Sequence, residues 1–161
     1  MSLIGTLVGL LRGAQEPGED PIAPELPDEH LAAAALLVHV ARVDGIIAEG
    51  ERRSLLAFLE SSYGLEPSSA AALLRRADRL DLEVDDVGSL VEMLGHDSHG
   101  VDRTRLIGMA YRVAAADGGL AEFEEDLLWR LGHLLGFDDA AIADAREQNI
   151  AEGLLAAELR V

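Results

Sequence analysis

Two short acidic segments carry the residues best suited to chemistry. DGIIAEGE at 44–51 and DGGLAEFE at 117–124 lie 73 positions apart and share five of eight residues. Each puts an Asp at the end of an apolar run and a Glu seven residues later, where the next amphipathic run starts. Hard divalent cations take carboxylate oxygens as ligands, with water completing the shell. Asp44, Glu51, Asp117 and Glu124 are therefore the candidate metal ligands, and Glu49 and Glu122 are further carboxylates within reach.

The spacing D-G-x-[IL]-x-x-x-E equals the second half of an EF-hand calcium loop. The first half is missing. The positions four and two before the Asp are Val40 and Arg42 in one copy and Val113 and Ala115 in the other, none of them a ligand. Neither turn is a standard EF-hand. What remains is either one cluster of four carboxylates, a pair from each copy, or two separate sites. Carboxylates gathered together raise one another's pKa, and a cation relieves that repulsion. His39, just over a turn before Asp44, would add a nitrogen ligand, although its counterpart in the second copy is Arg112. A competing reading needs no metal. Asp44 and Asp117 would cap chain ends through local backbone hydrogen bonds, and the glutamates would sit where the helix dipole favours negative charge. Capping alone, however, does not require Glu at the same offset twice, since Ser, Thr or Asn serves as well.

The elements that position these turns read as helices throughout. Residues 29–43 are apolar almost all round, the pattern of a central buried helix. Residues 49–63 are amphipathic, with Leu55, Leu56, Phe58 and Leu59 on the inner side, and Gly64 ends them. Further helices are expected over 67–80, opening on Pro67, and over 84–95, 101–116, 121–135 and 138–147, with another helical segment in 148–160. No run of period two argues for a strand. The repeat extends beyond the turns. Each copy has an Ala/Val-rich helix before it and a Leu-rich one after it, and a one-residue slip aligns YGLEPS (63–68) with LGFDDA (135–140). Two helical hairpins related by a pseudo-twofold axis are expected, with their central helices packed together. The sequence leaves open whether the acidic turns then meet or face opposite ends.

Bulk composition narrows the partners. The 161 residues suffice for one domain with a core, and 49% are hydrophobic, so this is no disordered acidic tail. Thirteen arginines and no lysine face thirty acidic residues, a net charge of −17 that repels nucleic acid and anionic membrane. There is no Cys, which removes disulfides and thiolate sites and fits the cytoplasm. Leu3–Leu11 is too short to span a bilayer and no basic n-region precedes it, Arg12 being the only cation there, so neither a transmembrane segment nor a signal peptide is expected. The expected layout is a short helix over 1–12, a Pro-rich arm over 13–28, a helical domain over 29–147 and a helical tail over 148–161.

Enzyme signals are thin. GHDSHG (95–100) sets Asp97, Ser98 and His99 side by side, but a triad is assembled in space rather than in sequence, and the segment reads as a polar loop. His133 lies on a Leu-rich helix and reads as structural. There is no phosphate-cradling Gly loop and no HExxH. A metal held by carboxylates would activate water, which is the minority reading.

The motif [AV]-D-G-x-[IVL]-x-x-x-E, present as VDGIIAEGE (43–51) and ADGGLAEFE (116–124), resembles the tellurite-resistance protein TerB family over roughly 29–147. The resemblance implies an all-α bundle of about seven helices and an acidic surface site, proposed in the family to bind metal, on Asp44, Glu51, Asp117 and Glu124. It also implies a role in tellurite and stress response beside a membrane-embedded partner, in the cytoplasm or peripheral to the inner membrane. Related domains adjoin J-domains, but this chain has no HPD tripeptide. The leading expectation is a non-enzymatic, metal-associated binding module docking on a membrane-associated protein. The alternative is a metal-free structural adaptor whose acidic turns only cap helices.

Overall fold

A computed structural model describes residues 28–43, 45–95, 102–116 and 120–158, without the side chains of residue 28 and of 152–158. The expected helix over 1–12, the Pro-rich arm, Asp44, Asp117 and the segment 96–101 lie outside the described residues. Seven helices and no strand form among the described residues: α1 (Asp28–Arg42), α2 (Glu49–Tyr63), α3 (Pro67–Glu83), α4 (Val87–Leu94), α5 (Arg103–Ala115), α6 (Glu122–Leu134) and α7 (Asp139–Glu158). Residues 138–147 and the segment after them are one continuous helix rather than two. No Gly or Pro falls near 147–148 to interrupt it.

Local chemistry sets the ends. Gly64 adopts φ 62° and its N–H reaches the Glu60 carbonyl, a left-handed C-cap that a β-carbon would strain. Pro67 opens α3, where its missing N–H has no helical partner to lose. Asp86, Asp102 and Asp138 cap the N-termini of α4, α5 and α7 by accepting backbone N–H groups. Arg103 closes two C-termini at once, donating to the carbonyls of Gly95 after α4 and Leu135 after α6.

The core forms around α1. Every residue from Ala32 to Val38 is buried, because α1 packs against α2, α3, α4, α5 and α6. A helix surrounded in this way needs apolar residues on all sides, as its sequence has. The repeat is visible in the packing. α1 packs most extensively on α3, and its counterpart α5 packs most extensively on α7. The two central helices α1 and α5 also touch each other. α4 has no counterpart in the second copy and fills a further side of α1.

Small residues let the helices approach. At Gly132 of α6 an added β-carbon would stand 2.6 Å from Cγ1 of Ile142 on α7, and Ile142 is fully buried. The aromatic residues are few, and three rings meet where α1 joins α2. His30 of α1 stacks on Tyr63 of α2 with ring centroids 4.2 Å apart, and Phe58 meets Tyr63 edge-on. Burial pushes the Tyr63 hydroxyl up to about 12, against the opposing pull of the Arg105 cation, and burial raises Tyr111 in the same way.

Two outcomes follow from this packing. Gly132→Ala gains up to about 1 kcal/mol of helix propensity but overpacks a site where Ile142 cannot retreat, at a cost of about 1–3 kcal/mol. Urea unfolding is expected to show a net loss of stability. Both tyrosines are protonated in the fold beyond the pH where an unfolded Tyr ionises. That stability is complete below pH about 10 and is lost as pH rises through the folded value of about 12 for Tyr63. A tyrosinate absorbance titration should show no normal ionisation until the chain unfolds, and Tyr63→Phe should flatten the alkaline stability loss.

Candidate functional site

The two glutamates of the repeated turn occupy equivalent positions. Glu51 is the third residue of α2, and Glu124 is the third residue of α6. In each copy the side chain turns back to the residue before the helix. Ala48 donates its N–H to Glu51 Oε2 at 2.9 Å, and Ala121 donates to Glu124 Oε1 at 3.3 Å. This is the Glu half of a capping box. The other half is impossible, because Ala48 and Ala121 carry only a methyl group. The copies differ in depth. Glu51 is 3% exposed, whereas Glu124 is only partly buried. Each cap engages one carboxylate oxygen. Gly45, at φ 110°, begins the first turn in a conformation that a β-carbon disfavours.

The remaining predicted ligands divide. Asp44 and Asp117 lie outside the described residues. Glu49 is exposed and pairs with Arg53 along its own helix at 3.4 Å, and Glu122 is exposed. Among the described residues no three His, Asp or Glu side chains converge as a metal group, so Glu49, Glu51, Glu122 and Glu124 do not make one by themselves. His133 faces outward, 2.9 Å from Asp139 and edge-on to Trp129.

His39 is held by a network that sequence reasoning missed. Its Nδ1 lies 2.7 Å from Oδ1 of Asp81 on α3, and the other Asp81 oxygen accepts from Arg42 at 3.3 Å. Arg42 also pairs with Asp78. The Asp81 side chain is 5% exposed and that of His39 30% exposed. Two pairs at i, i+3 spacing thus face each other, His39 and Arg42 on α1 against Asp78 and Asp81 on α3. The signal was present in the sequence: acids three apart on a helix whose other inner residues are apolar. The contact joins the C-terminal ends of α1 and α3, next to where the first acidic turn begins. It ties Arg42, two residues before that turn, to α3. The second copy has a related tie at the position of His39. Arg112 Nε donates to Asn149 Oδ1 at 2.9 Å, linking α5 to α7 as His39 links α1 to α3.

Burial separates the two aspartates energetically. Asp81→Ala removes the buried partner of His39 and one of the two carboxylates paired with Arg42, and is expected to cost about 2–3 kcal/mol. Asp78 is 43% exposed, and Asp78→Ala should cost at most about 1 kcal/mol. Urea unfolding of the two variants side by side checks the order.

No helix among the described residues is long and apolar enough to cross a membrane. Comparison with curated proteins and with solved structures gives no match. The family described as tellurite resistance protein TerB matches residues 30–147. That span contains α2 to α6 whole, nearly all of α1, the first half of α7 and both acidic turns. With the all-helical bundle and its doubled hairpin, the match shows that this chain belongs to the tellurite resistance protein TerB family.

Proposed function

We propose that the chain is a non-enzymatic, acidic helical binding module of tellurite or stress response, whose repeated turns take a divalent cation and which docks on a membrane-associated protein partner. The observation that carries this reading is the duplicated turn itself. The fold spends the same residue, Glu at the third helical position, at both helix starts, and Asp44 and Asp117 precede them at one spacing. A Glu in that place satisfies one backbone N–H and adds a carboxylate seven positions after the Asp in sequence. Ser or Thr at Ala48 and Ala121 would have capped the helices without that charge. On this reading Asp44 and Glu51 supply oxygen ligands in one copy and Asp117 and Glu124 in the other, with a hard divalent ion favoured by an all-oxygen set.

A second reading has a specific observation behind it. The hydrogen bonds from Ala48 to Glu51 and from Ala121 to Glu124 are what a metal-free adaptor with purely structural turns would need.

Metal dependence separates the two readings. The chain is stripped with EDTA and melted with Mg, Ca, Mn or Zn added back. A bound ion at about a hundredfold its Kd contributes about 2.7 kcal/mol, a rise of roughly 5–10 °C in Tm. The double substitution Glu51→Gln and Glu124→Gln keeps an acceptor oxygen for each cap and removes the charge. The stripped double variant should melt near the parent, and its response to metal should vanish. Coincident melts of stripped and loaded parent would leave the adaptor reading standing.

A further inference from the structure

A groove of about 220 Å³ opens where α2, α5 and α7 meet, away from both acidic turns in sequence and made of different residues. Its α5 wall carries Arg105 and Arg112, two turns apart on one face and about 10 Å apart along the axis. Phe58 and Met109 supply apolar surface, and Thr104 and Gln148 supply a hydroxyl and an amide. No Asp or Glu lines it among the described residues, in a chain where acids outnumber arginines thirty to thirteen.

Both cations are held in place. The Arg105 guanidinium lies 5.8 Å from the centroid of the Phe58 ring, a cation–π arrangement that orients it without a carboxylate. Arg112 is fixed through Nε by Asn149, and Asn149 is itself anchored by its amide to the Ala145 carbonyl at 2.8 Å. Gly108 lies between the two arginines, and a β-carbon there would stand 2.9 Å from the Asn149 amide nitrogen. The glycine therefore sets the approach of α7 that holds Asn149 against Arg112.

We propose that this groove binds a small organic monocarboxylate with a compact apolar body. The guanidinium of Arg105 would pair with the carboxylate, and the body would lie against Phe58 and Met109. Guanidinium donors match the planar carboxylate fork. A volume of about 220 Å³ leaves room for a ligand the size of benzoate. A dianion such as phosphate meets twice the repulsion from a chain of net charge −17 and gains nothing from the apolar wall.

The test uses the full chain labelled with 15N and titrated at constant ionic strength with benzoate, benzamide or inorganic phosphate. Benzoate is expected to give saturable amide shifts confined to 104–112, 148–149 and the neighbourhood of Phe58. Arg105→Gln should weaken that binding about tenfold or more, the scale of a lost charge-assisted hydrogen bond. Arg130→Gln, an exposed arginine on α6, should leave it unchanged. Gly108→Ala should also weaken it, with helicity retained. Failure of benzoate to saturate overturns the proposal. So does equal binding of benzamide, which would mean the cation is not read, or of phosphate, which would mean any anion suffices.

Discussion

Everything in this fold leans on the desolvation of one helix. α1 exposes almost none of its middle, and each of its fully buried leucines, Leu36 and Leu37, contributes on the order of 1.5–3 kcal/mol only while its neighbours remain in place. Five helices supply those neighbours. The alanines at 32–35 are as important as the leucines, because side chains larger than a methyl would hold the surrounding helices apart. Close approach then fixes where α1 must end, and its end is where the first acidic turn starts.

Polar groups near that end are handled by pairing rather than exposure. Asp81 is almost wholly removed from water, which is tolerable because both of its oxygens are met, one by His39 and one by Arg42. The same logic explains the glutamates at the helix starts. A buried carboxylate at Glu51 needs a donor, and the Ala48 N–H at the α2 N-terminus provides one together with the favourable end of the helix dipole. In the second copy Glu124 is less buried and the bond is longer. A pair of sequence copies has thus become a pair of similar but unequal local environments.

Most of the architecture was legible in the sequence because it is written in periodicity and punctuation. The apolar run at 29–43, the amphipathic run at 49–63 and the stop at Gly64 correspond to α1 and α2 almost to the residue. Boundaries slipped where no strong signal marks them. α3 runs on to Glu83 rather than stopping at 80, and α4 starts at Val87 because Asp86 is the cap. The site was legible in part. Glu51 and Glu124 announce themselves by repetition. The Asp78–Arg42–Asp81–His39 network shows only its acidic half, acids three apart on α3, because its partners lie about forty positions away and the pairing depends on which helices become neighbours. The groove beside Arg105 was invisible for the same reason: its walls come from three helices.

The fivefold packing of α1 also constrains how the chain reaches its native state. The three helices of the first copy cannot complete a core, since the faces of α1 turned to α4, α5 and α6 would stay in water. The first copy by itself therefore buries α1 incompletely. A nascent chain must keep α1 from collapsing wrongly until α6 has been synthesised, nearly a whole domain later. The protein thus closes longer loops around α1 than purely local helix pairing would. Its opening reactions should therefore be cooperative across both copies rather than confined to one, and exchange of the buried α1 amides should report global unfolding.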